Sequence, residues 1–147
     1  MSDLLIELGA NPTARQLIGK LGVPIPLPQR LRRAKGPSEE RPLHDHTVVV
    51  AAGPRPALGA TLAEALAAAG ANPVVFGDED AAAPYLEAGE AYGRPPQVLS
   101  GDPPAGLRPN ALVFDATGLR DPAELGSLYQ FFHPWVKRLA RCGRIAV

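Results

Sequence analysis

The chain has 147 residues, 46% hydrophobic and 20% charged, enough apolar material for one domain with a sizeable core. Its 15 basic and 15 acidic side chains cancel, which leaves no global field to draw in nucleic acid, an anionic membrane or an acidic partner. One cysteine, Cys142, excludes an internal disulfide. No apolar run approaches the roughly 20 residues of a membrane helix, and the start lacks the basic and long apolar regions of a signal peptide, so a cytoplasmic protein is expected.

Asn11 and Pro12 are suited to cap and open a helix running to about Lys20, with Leu17 and Leu21 on one face and Gly22 as a stop. The 17 prolines gather in linkers. Proline fixes its own φ and biases the preceding residue away from helix, so Val23 to Pro28 is expected to be an extended strap. Arg30, Arg32, Arg33, Lys35 and Arg41 follow, relieved by Glu39 and Glu40. This stretch reads either as a solvated loop or as an interaction patch for an acidic carrier or phosphate.

From Thr47 to Ala51 a continuous β-branched run predicts a strand buried on both faces of a parallel sheet. A turn through Gly53, Pro54, Arg55 and Pro56 leads to a helix from Leu58 to Ala69, ended by Gly70. Pro73 to Phe76 is the next strand, Gly77 to Asp80 a polar turn, and Ala81 to Gly89 a short helix. Pro95 to Val98 is a possible strand before a Gly/Pro loop reaching Pro109. Ala111 to Phe114 is again a strand. A helix is predicted from about Pro122 through Arg141, its apolar face made of Leu125, Leu128, Phe132, Trp135, Val136 and Leu139, with a kink at Pro134. Gly143 closes it, and Arg144 to Val147 opens another strand.

Strands alternating with helices predict an α/β fold of three layers on a parallel sheet, Rossmann-like or flavodoxin-like and incomplete at its C-terminal edge. Residues 1–45 are expected to form an N-terminal helix, strap and basic loop, and residues 46–147 the layered domain. Ending on a strand, the chain is expected to be one part of an enzyme, cut before its catalytic loop.

A dinucleotide site needs glycines for backbone approach and free amides at the first helix N-terminus. Gly53 and Gly59 are a thin echo of such a loop, whereas Pro54 and Pro56 each remove an N–H. Arg55 either holds a phosphate or is an ordinary loop arginine. Asp78, after Gly77, stands where an acid grips a ribose, but acids at helix starts are expected anyway. Asp115 and Thr117 either line a crevice or cap the turn, with Gly118 supplying a positive φ. His133 is expected on a helix face. His44 and His46 with Asp45 lack a third ligand in sight. Cys142, between Arg141 and Arg144, lacks an identifiable base.

The segments Leu112 to Gly118, Leu128 to Pro134 and Arg138 to Val147 resemble the N-terminal domain of the high-molecular-weight 3-oxoacyl-[acyl-carrier-protein] reductases, in the short-chain dehydrogenase/reductase family. Arg15 to Pro24 and Leu31 to Arg33 resemble that family's opening. The resemblance implies a longer, homo-oligomeric protein of fatty-acid metabolism. Its first half is flavodoxin-like and noncatalytic; its second is an NADPH- or NADH-dependent ketoreductase and the partner of this domain. Residues Asp115 to Gly118 are similar to a decayed Asn-Asn-Ala-Gly turn, and Gly143 to Val147 to the strand before the catalytic serine. The family's Tyr-x-x-x-Lys pair is not in this chain: four residues after Tyr85, Tyr92 and Tyr129 stand Gly89, Pro96 and His133. A phenol acidified by a nearby lysine protonates the carbonyl in that chemistry, so no catalytic, cofactor-binding or metal residue is assigned here. The alternative from the residues alone is a stand-alone flavodoxin-like module that binds a nucleotide or flavin.

Overall fold

The computed structural model describes residues 11–20, 36, 37 and 39–147. The strap from Val23 to Pro28 and the basic residues Arg30, Arg32, Arg33 and Lys35 lie outside them, as do Leu21 and Gly22. The chain divides into two compact units, residues 1–36 and 37–147. In the first, helix α1 spans Pro12–Lys20, and the Asn11 side chain accepts the Thr13 amide at 3.0 Å, the expected N-cap. Leu17 is exposed.

The second unit is built on strand β1, Thr47–Ala52, whose Val48, Val49 and Val50 are all essentially inaccessible. Burial on both faces follows from its central place: β1 pairs in parallel with β2, Asn72–Phe76, on one side and with β4, Ala111–Asp115, on the other. The short strands β3, Gln97–Leu99, and β5, Arg144–Ala146, add to the outer edges. The five-stranded parallel sheet has the order β3-β2-β1-β4-β5. That is the doubly wound Rossmann order rather than the flavodoxin one.

Helices α2, Gly59–Ala68, and α3, Glu79–Tyr92, cover one face. There Val48, Val50 and Val75 pack against Ala63, Leu66, Ala67, Ala82, Tyr85 and Ala88. Small helix residues allow close approach to a β-branched surface. Helix α4, Gly126–Trp135, covers the other face, where Val49, Val74, Leu112 and Phe114 meet Phe131 and Trp135. Trp135 lies edge-on to Phe76 with ring centroids 6.2 Å apart.

The extents of two helices are corrected. The helix predicted from Pro122 through Arg141 is three pieces: a 3₁₀ turn at Pro122–Leu125, α4, and a second 3₁₀ turn at Val136–Arg138. Pro134 lacks the N–H that would bond the preceding turn, and beyond Arg138 the Ala140 amide bonds the Pro109 carbonyl instead. Of its predicted apolar face, Leu128, Phe132, Trp135 and Leu139 pack on the sheet, whereas Leu125 and Val136 are exposed and Phe131, outside that face, is buried. At 100° per residue, Val136 lies about 80° from Leu128 and about 100° from Trp135 around the helix.

Helix α3 likewise runs past its expected end at Gly89 to a left-handed cap at Gly93. Gly89 sits inside it because a Cβ there would stand 2.6 Å from the Arg94 carbonyl oxygen. Within the second unit, Arg41 to His46 are held against the sheet and α2. The Leu43 amide bonds Ala69, the Asn72 amide bonds His46, and Leu43 packs on the core. Among the described residues no helix is long and apolar enough to cross a membrane.

Candidate functional site

Parallel doubly wound sheets place ligands at the carboxyl ends of the strands, where successive strands turn to opposite sides. Here that switch point lies between β1 and β4, so the site is framed by the loop from Gly53 to Leu58 and the loop from Asp115 to Leu119. Their register sets Ala52 opposite Asp115, and Asp115, only 3% exposed, is the buried charged residue of the core.

A buried carboxylate is tolerated only when its oxygens are hydrogen-bonded. One Asp115 oxygen accepts the Leu58 amide at 2.8 Å, and the other accepts the Thr117 amide at 3.0 Å and the Thr117 hydroxyl. The Thr117 Oγ1 in turn accepts the Ala57 amide at 3.1 Å, and the Gly53 amide donates to the Asp115 carbonyl. Helix α2 has Leu58 at its N-cap with no local side-chain cap. Asp115 supplies that cap from the neighbouring strand, and its negative charge complements the positive end of the helix. Burial pushes the Asp115 carboxyl up, but the hydrogen bonds from Thr117 and Leu58 outweigh it and hold the group below its ordinary value.

The backbone of the two loops is equally close. A Cβ on Gly118 would stand 2.2 Å from the carbonyl oxygens of both Pro54 and Arg55. Gly118 is thus required by contact rather than by the positive φ expected of it; it is not among the positive-φ residues. Arg55 is, at φ 60°. Its guanidinium donates to the Gly118 carbonyl at 3.1 Å and to Glu124 at 2.6 Å. Glu124 also accepts the Arg120 amide at 2.7 Å, and these bonds, first from Arg120 and then Arg55, lower its carboxyl pKa. The Ala57 and Leu58 amides leading into α2 therefore donate to Thr117 and Asp115, and Arg55 is turned onto its own chain.

Beneath the switch point lies a cavity of about 90 Å³ bordered by Pro56, Gly59, Tyr85 and Asp115. It is well below the few hundred Å³ of a ligand pocket and is sized for a few water molecules. Burial, with the Asp115 charge second, pushes the Tyr85 phenol up to about 12. An open groove of about 710 Å³ follows β2 and β3, lined by Phe76, Gly77, Asp78, Leu86, Val98 and Ser100. The Asp78 carboxylate at its rim accepts the Ala81 amide at 2.9 Å as the cap of α3.

The remaining sequence candidates stand apart from the switch point. His44 Nδ1 is 3.0 Å from Asp45, and among the described residues no three His, Cys, Asp or Glu side chains converge for a metal. Cys142 is exposed, with φ 62°. His133 stacks on Tyr129, ring centroids 4.9 Å apart. Sequence reasoning placed Asp115 and Thr117 but missed Leu58, Tyr85 and Glu124 as their surroundings. Only Glu124 carried a local signal, as the third residue of a capping box begun by Asp121.

The strand order and the switch point define a Rossmann-type α/β domain. No protein-family model matches the chain, and no curated protein matches it. Among solved structures it is similar to a short-chain dehydrogenase from Salmonella enterica serovar Typhi, with 15% identity and TM-score 0.43 over 66% of this chain and 50% of that one. It is also similar to a putative short chain dehydrogenase from Escherichia coli CFT073 complexed with NADPH, with 17% identity and TM-score 0.41 over 63% of this chain and 50% of that one. The chain spans about half the length of these structures.

Proposed function

We propose that this chain is the noncatalytic N-terminal domain of an NAD(P)H-dependent 3-oxoacyl-thioester reductase of fatty-acid metabolism, acting in the cytoplasm. Its role is to support and position the catalytic half, which carries the serine, the Tyr-x-x-x-Lys pair and the NADPH or NADH. The observation that carries this reading is the Asp115 carboxylate at the N-terminus of α2, bonded to the Leu58 amide. A dinucleotide would bring its pyrophosphate to that helix end, where a buried negative charge already stands and would repel it. The sequence similarity of Asp115 to Gly118 and of Gly143 to Val147 to the reductase family supplies the rest.

The test is calorimetric titration of the chain with NADPH, NADH and FMN, beside an assay of NADPH oxidation with a 3-oxoacyl thioester. No saturable heat and no turnover above the uncatalysed rate are expected. Turnover by this chain would overturn the proposal. Stoichiometric binding without turnover would favour the second reading, a nucleotide- or flavin-binding module, for which the open groove after β2 and β3 is the one structural argument.

A further inference from the structure

The amino ends of the strands, opposite the switch point, carry a concavity of about 160 Å³ bordered by Gly106, Leu107, Arg108, Lys137 and Arg138. Three of these five wall residues are cationic and none is acidic. Among the described residues, none of the three cations forms an ion pair with a carboxylate. Helix C-termini attract Lys and Arg, which accounts for Lys137 and Arg138 in the turn after α4. It does not account for Arg108, which comes from the loop before β4 and brings a third positive charge to the same hollow. Like charges so placed repel one another, and an anion among them removes that cost.

The hollow is also fixed in advance. Half-buried Arg138 donates from Nη1 to the carbonyls of Pro103 and Pro104 at 3.1 and 3.0 Å. Pro103 and Pro109 are buried, and the Ala140 amide bonds the Pro109 carbonyl at 2.7 Å. The loop and the turn that carry the three cations are thus fastened to each other before a ligand arrives, which lowers the ordering cost of binding. Those bonds use Nη1 alone, so Nη2 and Nε of Arg138 remain as donors of the planar fork that suits phosphate oxygens. The volume, equal to about five water molecules of liquid, holds one phosphate group and falls short of a nucleotide pocket. We propose that Arg108, Lys137 and Arg138 form a site for a single phosphate group, as inorganic phosphate or as a terminal phosphomonoester whose remainder lies in solvent. The site is at the other end of the sheet from the crevice where doubly wound folds hold their ligands, and the proposal does not depend on the reductase reading.

Amide NMR titrations of the 147-residue chain, with ionic strength held constant by sodium chloride, test this with inorganic phosphate and glycerol 3-phosphate as probes. Saturable shifts are expected at Gly106, Leu107, Lys137 and Arg138, with a dissociation constant of about 1 mM. Equal affinity for the two probes supports a site that reads the phosphate group alone; tighter glycerol 3-phosphate supports a carried phosphate, and tighter inorganic phosphate the free ion. Arg108→Gln combined with Lys137→Gln, both exposed, should weaken binding about tenfold at unchanged circular dichroism. Glu64→Gln, on the other face of the sheet, should leave it as it is. Shifts that do not saturate by about 20 mM, or a double variant that binds as tightly as the wild type, would overturn the proposal. Should the double variant fail to fold, Lys137→Gln alone decides, with about threefold weaker binding expected and wild-type affinity counting against the site.

Discussion

At the residue scale, Asp115 joins two loops that share no sequence neighbourhood. Replacing it by alanine leaves the part-buried Leu58 and Thr117 amides without their acceptor. Asp115→Ala should therefore cost about 2–3 kcal/mol, read as a shift of the urea midpoint at unchanged slope. The pH dependence follows from the depressed carboxyl. A group with a lower pKa folded than unfolded contributes stability that is present above the ordinary carboxylate value, near 3.9, and is lost as pH falls through the folded value. Acid titration of the melting temperature should show this loss in the wild type, with a smaller slope in Asp115→Asn. Gly118 tests the backbone contact: Gly118→Ala meets two carbonyl oxygens at 2.2 Å, so the loops must part, at about 2–3 kcal/mol. Asp115 and Thr117 were legible as turn residues from their types. Their partners were not, since nothing local points from Asp115 to Leu58.

At the scale of elements, periodicity located the helices and strands but misjudged where helices stop. Gly89 reads as a terminator by type, whereas the terminator is Gly93, whose left-handed backbone suits glycine. What distinguishes the two is the chain beyond: Arg94 and Pro95 fold back against Gly89. Gly89→Ala gains up to about 1 kcal/mol of intrinsic helix propensity, but the clash with fixed backbone is larger. A net loss of stability is expected in a thermal melt, and a gain would show that the Arg94 turn can yield. Leu66, 8% exposed between α2 and the sheet, should cost about 2–5 kcal/mol on truncation to alanine. In and beyond α4 the residues that meet the sheet were recognised at Leu128, Phe132, Trp135 and Leu139, but Phe131 was missed and Leu125 and Val136 were wrongly included. Periodicity marks a stripe but does not fix its edges.

For the whole molecule, the hierarchy of burial predicts a hierarchy of local stability. Strand β1 is enclosed by β2, β4 and both helix layers, while β5 has all three residues exposed and β3 nearly so. Native-state hydrogen exchange should be slowest at the amides of Val49, Val50 and Leu112 and fastest in β3 and β5. Uniform protection across the sheet would contradict this. The sequence by itself determined the alternation of strands and helices, the burial of β1 and the parallel sense of the sheet. Hydrophobic period, β-branched runs and proline or glycine punctuation act over a few residues and are readable there. Only the tertiary structure decided the strand order, the cap that Asp115 lends to α2 across the sheet, and the contact that makes Gly118 necessary. These depend on residues some 60 positions apart meeting at the switch point, a coincidence that chain folding creates and local pattern does not encode.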